Sequence, residues 1–160
     1  SGYDAEKTAE YMRELSVDGK YSVDSDLYKK ISDLFDAGYC DDNATKATIN
    51  EIFKKYDYLC DTHTAVAVNV YEEYTKRTGD DTPTVIASTA NPYKFSASVL
   101  SAITDDIKSE DEFSMVEELF EKSKEPVPPQ LATLKGKAPR FTRVSDKEDM
   151  AQVVFDMLGI

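Results

Sequence analysis

The segment TPTVIAST at residues 82–89 constrains the fold most, because it is the one strong strand signal in the chain. It is short, apolar and β-branched, which is typical of a strand buried on both faces. Such a strand needs hydrogen-bonded neighbours, and the sequence offers only two weak candidates, KYSV at 20–23 and RFTRVS at 140–145. We therefore expect an α/β fold, seen here as a helix-rich piece of an open sheet with few strands.

Amphipathic segments on both sides of this strand predict helices, since their apolar residues recur every three to four positions. Gly38 and Gly79 are expected to end the second and fourth of them. Ser145, with Glu148 three residues later, has the spacing of a capping box. We expect the helices to begin at Asp4, at Asp24 or Ser25, at Asn43, near Thr62, before Val99, at Ser109 or Asp111, and at Ser145.

Charge and composition exclude several classes of protein. The formal net charge of −12 disfavours nucleic acid and anionic lipid as partners. No apolar run is long enough for a membrane span, and the opening SGYDAEKTAE lacks the features of a signal peptide. A single histidine and two well-separated cysteines argue against a metal site. We expect a cytoplasmic protein with reduced thiols and no metal.

A first candidate site is DTHTAVAV at 61–68, at the start of a predicted helix. Free backbone N–H groups and a partial positive charge at this end favour an anion or a substrate, close to His63 and Thr64. Capping of the helix by Asp61, Thr62 or Thr64 explains the same residues, and it is the commoner reason for them.

A second candidate site is STANPYKF at 88–95, directly after the predicted strand. Ligands of open α/β sheets bind at the carboxyl ends of the strands. The hydroxyls of Ser88 and Thr89 could bond a cofactor, and Lys94 could pair with an anion. A proline-containing turn that caps the next helix is an equally good interpretation.

Taken together, DTHTAVAVNVYEEY and VIASTANPYKF resemble threonine synthase, a pyridoxal-phosphate enzyme family of the tryptophan-synthase-β fold type. The common forms are close to D-P-H-T-A-V and S-T-A-H-P-x-K-F, and this chain departs by Thr62 for proline and Asn91 for histidine. The opening SGYDAEK and the ending KGKAPRFTRVSDKEDMAQVVFDMLG also resemble the family. The resemblance therefore extends over essentially the whole chain.

The resemblance implies conversion of O-phospho-L-homoserine and water to L-threonine and phosphate. In that family the Schiff-base lysine and the phosphate-binding cup come from an earlier part of the chain, and neither motif is present here. Residues 1–160 would then be a single compact C-terminal portion with no catalytic residue of its own. We expect this portion to be inactive alone, and to self-associate through its exposed strand.

The resemblance also implies roles for individual residues. Thr89 matches the family residue that faces the pyridine nitrogen of the coenzyme, and Ser88 is the alternative because side chains alternate along a strand. A neutral hydroxyl at that position leaves the ring a weaker electron sink than a carboxylate would. The residues expected near the substrate or its phosphate are His63, Thr64, Asn91 and Lys94.

Two other functions fit the same sequence. One is a different pyridoxal-phosphate enzyme of the same fold type that catalyses β-replacement or deamination. The loops that bind the substrate carboxylate would distinguish it, and they are absent from these residues. The other is a non-catalytic interaction domain, which predicts a compact monomer with a complete sheet.

Overall fold

The computed structural model describes residues 1–160, and its regular structure is entirely helical. Two short 3₁₀ turns, Pro92–Phe95 and Lys147–Asp149, precede the fifth and eighth α-helices. The α-helices are α1 (Ala5–Asp18), α2 (Ser25–Ser32), α3 (Asp42–Tyr56), α4 (Thr62–Thr78), α5 (Ser96–Ile103), α6 (Glu112–Ser123), α7 (Pro129–Ala132) and α8 (Met150–Leu158). The helix-rich character predicted from the sequence is confirmed.

The buried strand predicted at 82–89 is not formed within this chain. Val85, at its centre, is 95% exposed, and the backbone of residues 80–90 makes no hydrogen bond to other backbone groups. The weaker strand predictions at 20–23 and 140–145 are wrong as well. All three segments lack a partner strand within the chain. A β-strand is stabilised only by hydrogen bonds to a neighbouring strand, so none of the three forms.

Aspartate side chains cap most of the helices by accepting bonds from backbone N–H groups of the first turn. The caps predicted at Asp4 and Asp24 are confirmed. Helix α3 is capped by Asp41, whose carboxylate accepts from the Ala44 N–H at 2.8 Å, and begins at Asp42, one residue before the start predicted at Asn43. Helix α6 is capped by Asp111, one of the two predicted positions.

Two predicted boundaries are wrong. Helix α2 ends at Ser32 rather than at Gly38, so the two apolar residues that follow it lie outside the helix. Ser145 caps nothing, because the chain first forms a 3₁₀ turn and α8 begins only at Met150. Gly79, by contrast, ends α4 in the left-handed conformation, as predicted.

The hydrophobic core lies between α3 and α6. Helix α3 packs against α4 and α5, and α5 packs against α6. Helices α1, α2 and α8 contribute no buried residue. The core residues are Ile49, Ile52, Leu59, Cys60, Ala65, Tyr93, Val99, Leu100, Ala102, Val116 and Leu119. None of the helices combines the length and the apolar character that crossing a membrane requires.

The core also fixes the loop that follows residues 82–89. Pro92 and Tyr93 are buried, and the Tyr93 hydroxyl donates to the backbone carbonyl of Glu125 at 2.5 Å. The far end of this loop is therefore anchored on the helices, close to the start of α4.

Candidate functional site

Asp61 organises the start of α4 and is completely buried. Its carboxylate accepts hydrogen bonds from the backbone N–H groups of His63 at 2.8 Å and Thr64 at 3.3 Å, and from the hydroxyl of Thr64. The negative charge also suits the positive end of the helix dipole. Of the three caps considered from the sequence, Asp61 is therefore the correct one.

Thr64 joins the two sequence motifs. Its hydroxyl oxygen lies 3.2 Å from that of Ser88, and the Tyr58 hydroxyl donates to Ser88 at 3.4 Å. A chain of polar groups therefore runs from the buried carboxylate of Asp61 through Thr64 to Ser88. Sequence reasoning placed Thr64 and Ser88 in separate segments and did not consider Tyr58.

Thr89 differs from its neighbour. It is exposed, and none of the hydrogen bonds of this loop involves its hydroxyl. The Ser88 hydroxyl has Thr64 and Tyr58 within hydrogen-bond distance, so of the two predicted coenzyme contacts only Thr89 has a hydroxyl without a partner in the chain.

Asn91 and Lys94 occupy the turn beyond these hydroxyls. The Asn91 side chain accepts from the Tyr93 backbone N–H at 3.0 Å and caps the 3₁₀ turn, which has Pro92 at its start. The ammonium of Lys94 is exposed and lies 5.7 Å from the centre of the Phe95 ring, within the range of a cation–π contact. Asn91 thus shapes the turn, while Lys94 presents a positive charge to solvent.

His63 faces a different part of the loop from Thr64. Its ring centre lies 4.9 Å from that of Phe95, with the planes at 45°. His63 and Phe95 border a cavity of about 280 Å³ together with Cys40. Thr64 and Ser88 border another cavity, of about 390 Å³. Of the predicted site residues, Thr64 and Ser88 therefore face one cavity and His63 faces the other.

The second of these cavities is partly aromatic. Tyr56, Tyr58 and Tyr71 contribute to its lining, beside Ile86 from the segment before the loop. The spacing of the tyrosines gave no sign of a shared cavity, because the contact joins residues from α3, α4 and the segment before the loop.

Cys60, although next to Asp61, is not a candidate nucleophile. Burial, reinforced by the neighbouring Asp61 charge, raises the pKa of its thiol to about 11. The thiolate is the reactive form of cysteine, so Cys60 stays inert at neutral pH. No group of three His, Cys, Asp or Glu side chains is arranged to hold a metal ion.

Comparison with known proteins identifies a family. The family model described as "Threonine synthase, C-terminal" matches residues 64–154. The threonine synthase of Pseudomonas aeruginosa is 32% identical over 101 residues, which are 63% of this chain and 21% of that protein. The human protein "Threonine synthase-like 1" is 28% identical over 100 residues, or 62% of this chain and 13% of the relative.

A solved structure has the same fold. The pyridoxal-phosphate-bound threonine synthase from Brucella melitensis superposes with a TM-score of 0.56 at 24% identity. The match covers 78% of this chain and 30% of that one. The matched part of this chain thus spans about a fifth or less of the curated relatives' length, and less than a third of the solved chain.

Proposed function

The chain belongs to the threonine synthase C-terminal family, and we propose that it is the C-terminal portion of a pyridoxal-phosphate-dependent threonine synthase. The complete enzyme would convert O-phospho-L-homoserine and water to L-threonine and phosphate. The observation that carries this proposal is the 3.2 Å contact between the hydroxyls of Thr64 and Ser88. It joins the two segments on which the sequence resemblance rests into one wall.

The residues of this wall fit the proposed coenzyme. A pyridine nitrogen without a proton accepts a hydrogen bond, and the exposed hydroxyl of Thr89 can donate one. The loop 88–95 contains no carboxylate that would protonate the ring. When bound, pyridoxal phosphate supplies the electron sink for the reaction. Its Schiff-base lysine would come from the part of the enzyme outside residues 1–160.

The other residues of the wall position Thr89 and the substrate. Asp61 fixes Thr64, and Thr64 holds Ser88, so the backbone that carries Thr89 is tied to α4. Lys94 has no ion-pair partner in the chain and is free to attract the substrate phosphate. His63, at the same helix start, would lie near that phosphate.

The experiment that tests this proposal is coenzyme titration of variants in the complete enzyme. Thr89→Val keeps the shape of the side chain and removes the donor. A neutral hydrogen bond contributes about 0.5–1.5 kcal/mol, so coenzyme affinity should fall roughly three- to tenfold. Thr89→Asp should instead favour a protonated ring, which single-turnover spectra would detect as a changed balance of absorbing species.

Ser88→Ala is the matched control, because it removes the neighbouring hydroxyl. If Ser88→Ala weakens coenzyme binding while Thr89→Val does not, the wrong hydroxyl has been assigned. If neither substitution affects binding, this loop does not contact the coenzyme.

The isolated 160-residue chain should release no phosphate from O-phosphohomoserine and should show no stable absorbance from bound coenzyme. Both expectations follow from the proposed origin of the lysine outside this chain. A stoichiometric imine band in the purified chain would contradict them, and would direct attention to Lys94.

A further inference from the structure

A groove crosses α4 between two non-helical segments, 36–39 and 84–87. The segments form its walls, and residues of α4 that include Val70 and Tyr74 form its floor. The cavity measures about 820 Å³ and is the largest of those that border the residues described above. More than half of its lining residues are hydrophobic.

Both walls carry unpaired backbone groups. No backbone N–H or C=O group of residues 36–40 or 80–90 makes a hydrogen bond to another backbone group. Three of these N–H groups are bonded to nearby side chains: that of Ala37 to the Asp36 carboxylate, that of Asp80 to the Thr78 hydroxyl, and that of Thr82 to the Asp80 carboxylate. The backbone N–H groups of 84–87 and 38–40 remain unbonded. An edge strand of a sheet has the same row of unpaired backbone groups, and another strand can pair with them.

The walls are held in place before anything occupies the groove. A Cβ atom on Gly38 would lie 2.8 Å from Val70, so this wall rests directly on α4. The Asp36 carboxylate lies 2.5 Å from the Arg77 guanidinium. At the other wall, the Tyr74 hydroxyl donates to Asp80 at 2.6 Å. The charged groups at the rim are thus engaged, and the interior is left apolar.

We propose that a β-strand from the part of the enzyme outside residues 1–160 occupies this groove and pairs with both walls. The inference rests on the proposed function, because it requires that larger enzyme. Each inserted residue would satisfy backbone groups of a wall, as in other strand additions, and apolar side chains would cover α4. The exposed Val85 and the half-buried Ile86 have β-branched side chains, which are common in strands that pair with a neighbouring strand.

Two features favour this occupant over a second copy of the chain. The aligned relatives extend well beyond the matched region, which covers only 13–21% of their length, so the enzyme has ample chain to supply a strand. Each copy also has a formal net charge of −12, which opposes the approach of another.

Hydrogen exchange tests the proposal by comparing the 160-residue chain with the complete enzyme. Backbone amides of 37–40 and 84–88 should exchange rapidly in the chain and at least about a hundredfold more slowly in the enzyme. The amides of Val99 and Leu100 in the core serve as the internal reference, because they are buried in α5 in both proteins.

A pair of variants in the complete enzyme tests whether one strand joins the walls. Gly38→Ala should displace its wall from Val70 and reduce protection at 84–88 as well as at 37–40. Adding Val70→Ala makes room for the new methyl group and should restore protection at both walls.

Three outcomes would overturn the inference. Protection of 84–88 alone would place the partner strand on the other side of that segment. Protection of neither wall would leave the groove empty. Protection that rises with protein concentration in the complete enzyme would identify a second copy as the occupant. Coenzyme titration does not depend on hydrogen exchange at these walls. If the walls are not protected but Thr89→Val weakens coenzyme binding as expected, the strand proposal fails and the proposed function stands.

Discussion

Apolar side chains recur at helical spacing both in the region from α3 to α6 and at the two ends of the chain. They are buried in the first region and exposed in the second. Between Ile49 and Leu119 the apolar side chains close into a core. Helix α1 contacts the segment that leads into α2 through the Lys7–Asp24 ion pair and the stacked rings of Tyr11 and Tyr21, and neither helix buries a residue. Helix α8 is strongly apolar and buries none either.

This contrast shows that an apolar helix face does not by itself lead to burial. An amphipathic helix gains its stability from the surface that covers its apolar face. For α8 that surface is absent from the chain, and Leu158 remains 66% exposed. Phe35, after α2, is 71% exposed for the same reason. The apolar residues at both ends therefore mark surfaces that the proposed complete enzyme would cover.

The largest predicted effect compares one leucine from each region. Leu119 is completely buried, so Leu119→Ala should lower the free energy of unfolding by about 2–5 kcal/mol through lost burial and the cavity left behind. Leu158→Ala should change it by less than about 0.5 kcal/mol, as is usual for exposed positions. Urea denaturation of the two variants and the unsubstituted chain provides the measurement.

Equal losses from the two substitutions would contradict this picture. Such a result would mean that α8 packs on the core in solution. Leu119→Met provides a further control, because it keeps most of the volume and should cost less than about 1.5 kcal/mol.

A smaller effect is expected at two neighbouring glutamates of α6. Glu118 is buried, and its carboxylate accepts from the backbone N–H groups of Lys108 and Ser109 and from the Ser109 hydroxyl at 2.6 Å. It thereby holds the loop between α5 and α6. Glu118→Gln should destabilise the chain, because an amide reproduces only part of this acceptor set. Glu117 makes an exposed pair with Lys135, so Glu117→Gln should cost only about 0–1 kcal/mol.

The pH dependence separates the two glutamates further. The hydrogen bond from the Ser109 hydroxyl, supported by the backbone bonds, lowers the pKa of Glu118 from its ordinary value of 4.5. Because the folded pKa is depressed, this stabilisation is complete above pH 4.5 and is lost as pH falls through the folded pKa. The difference between the unsubstituted chain and Glu118→Gln should therefore shrink in acid. A difference that stays constant from pH 7 to pH 3 would refute the role of the charge.

Local interactions explain what the sequence could predict. The caps at Asp4, Asp61 and Asp111 join a side chain to a backbone N–H two or three residues away, and a short window of sequence contains both partners. The strand at 82–89 requires partners that are distant in sequence, and none is present in these residues. No rule of spacing could have placed the Ser88 hydroxyl against Thr64, because that contact follows from how α4 packs.

The smallest change in the free energy of unfolding should come from removing residues 147–160 from the isolated chain. This change is informative because it should be larger in the complete enzyme. Helix α8 has no buried residue, and its ion pair between Arg143 and Asp156, at 2.8 Å, is exposed. Removal should therefore change the free energy of unfolding of the 160-residue chain by less than about 1 kcal/mol. In the complete enzyme the same truncation should cost more, about 1.5–3 kcal/mol for each large apolar side chain that becomes covered there. Thermal and urea unfolding of both pairs of proteins would measure this difference. Equal and small effects in the two settings would show that α8 stays exposed in the enzyme as well, and that its apolar face serves a partner outside it.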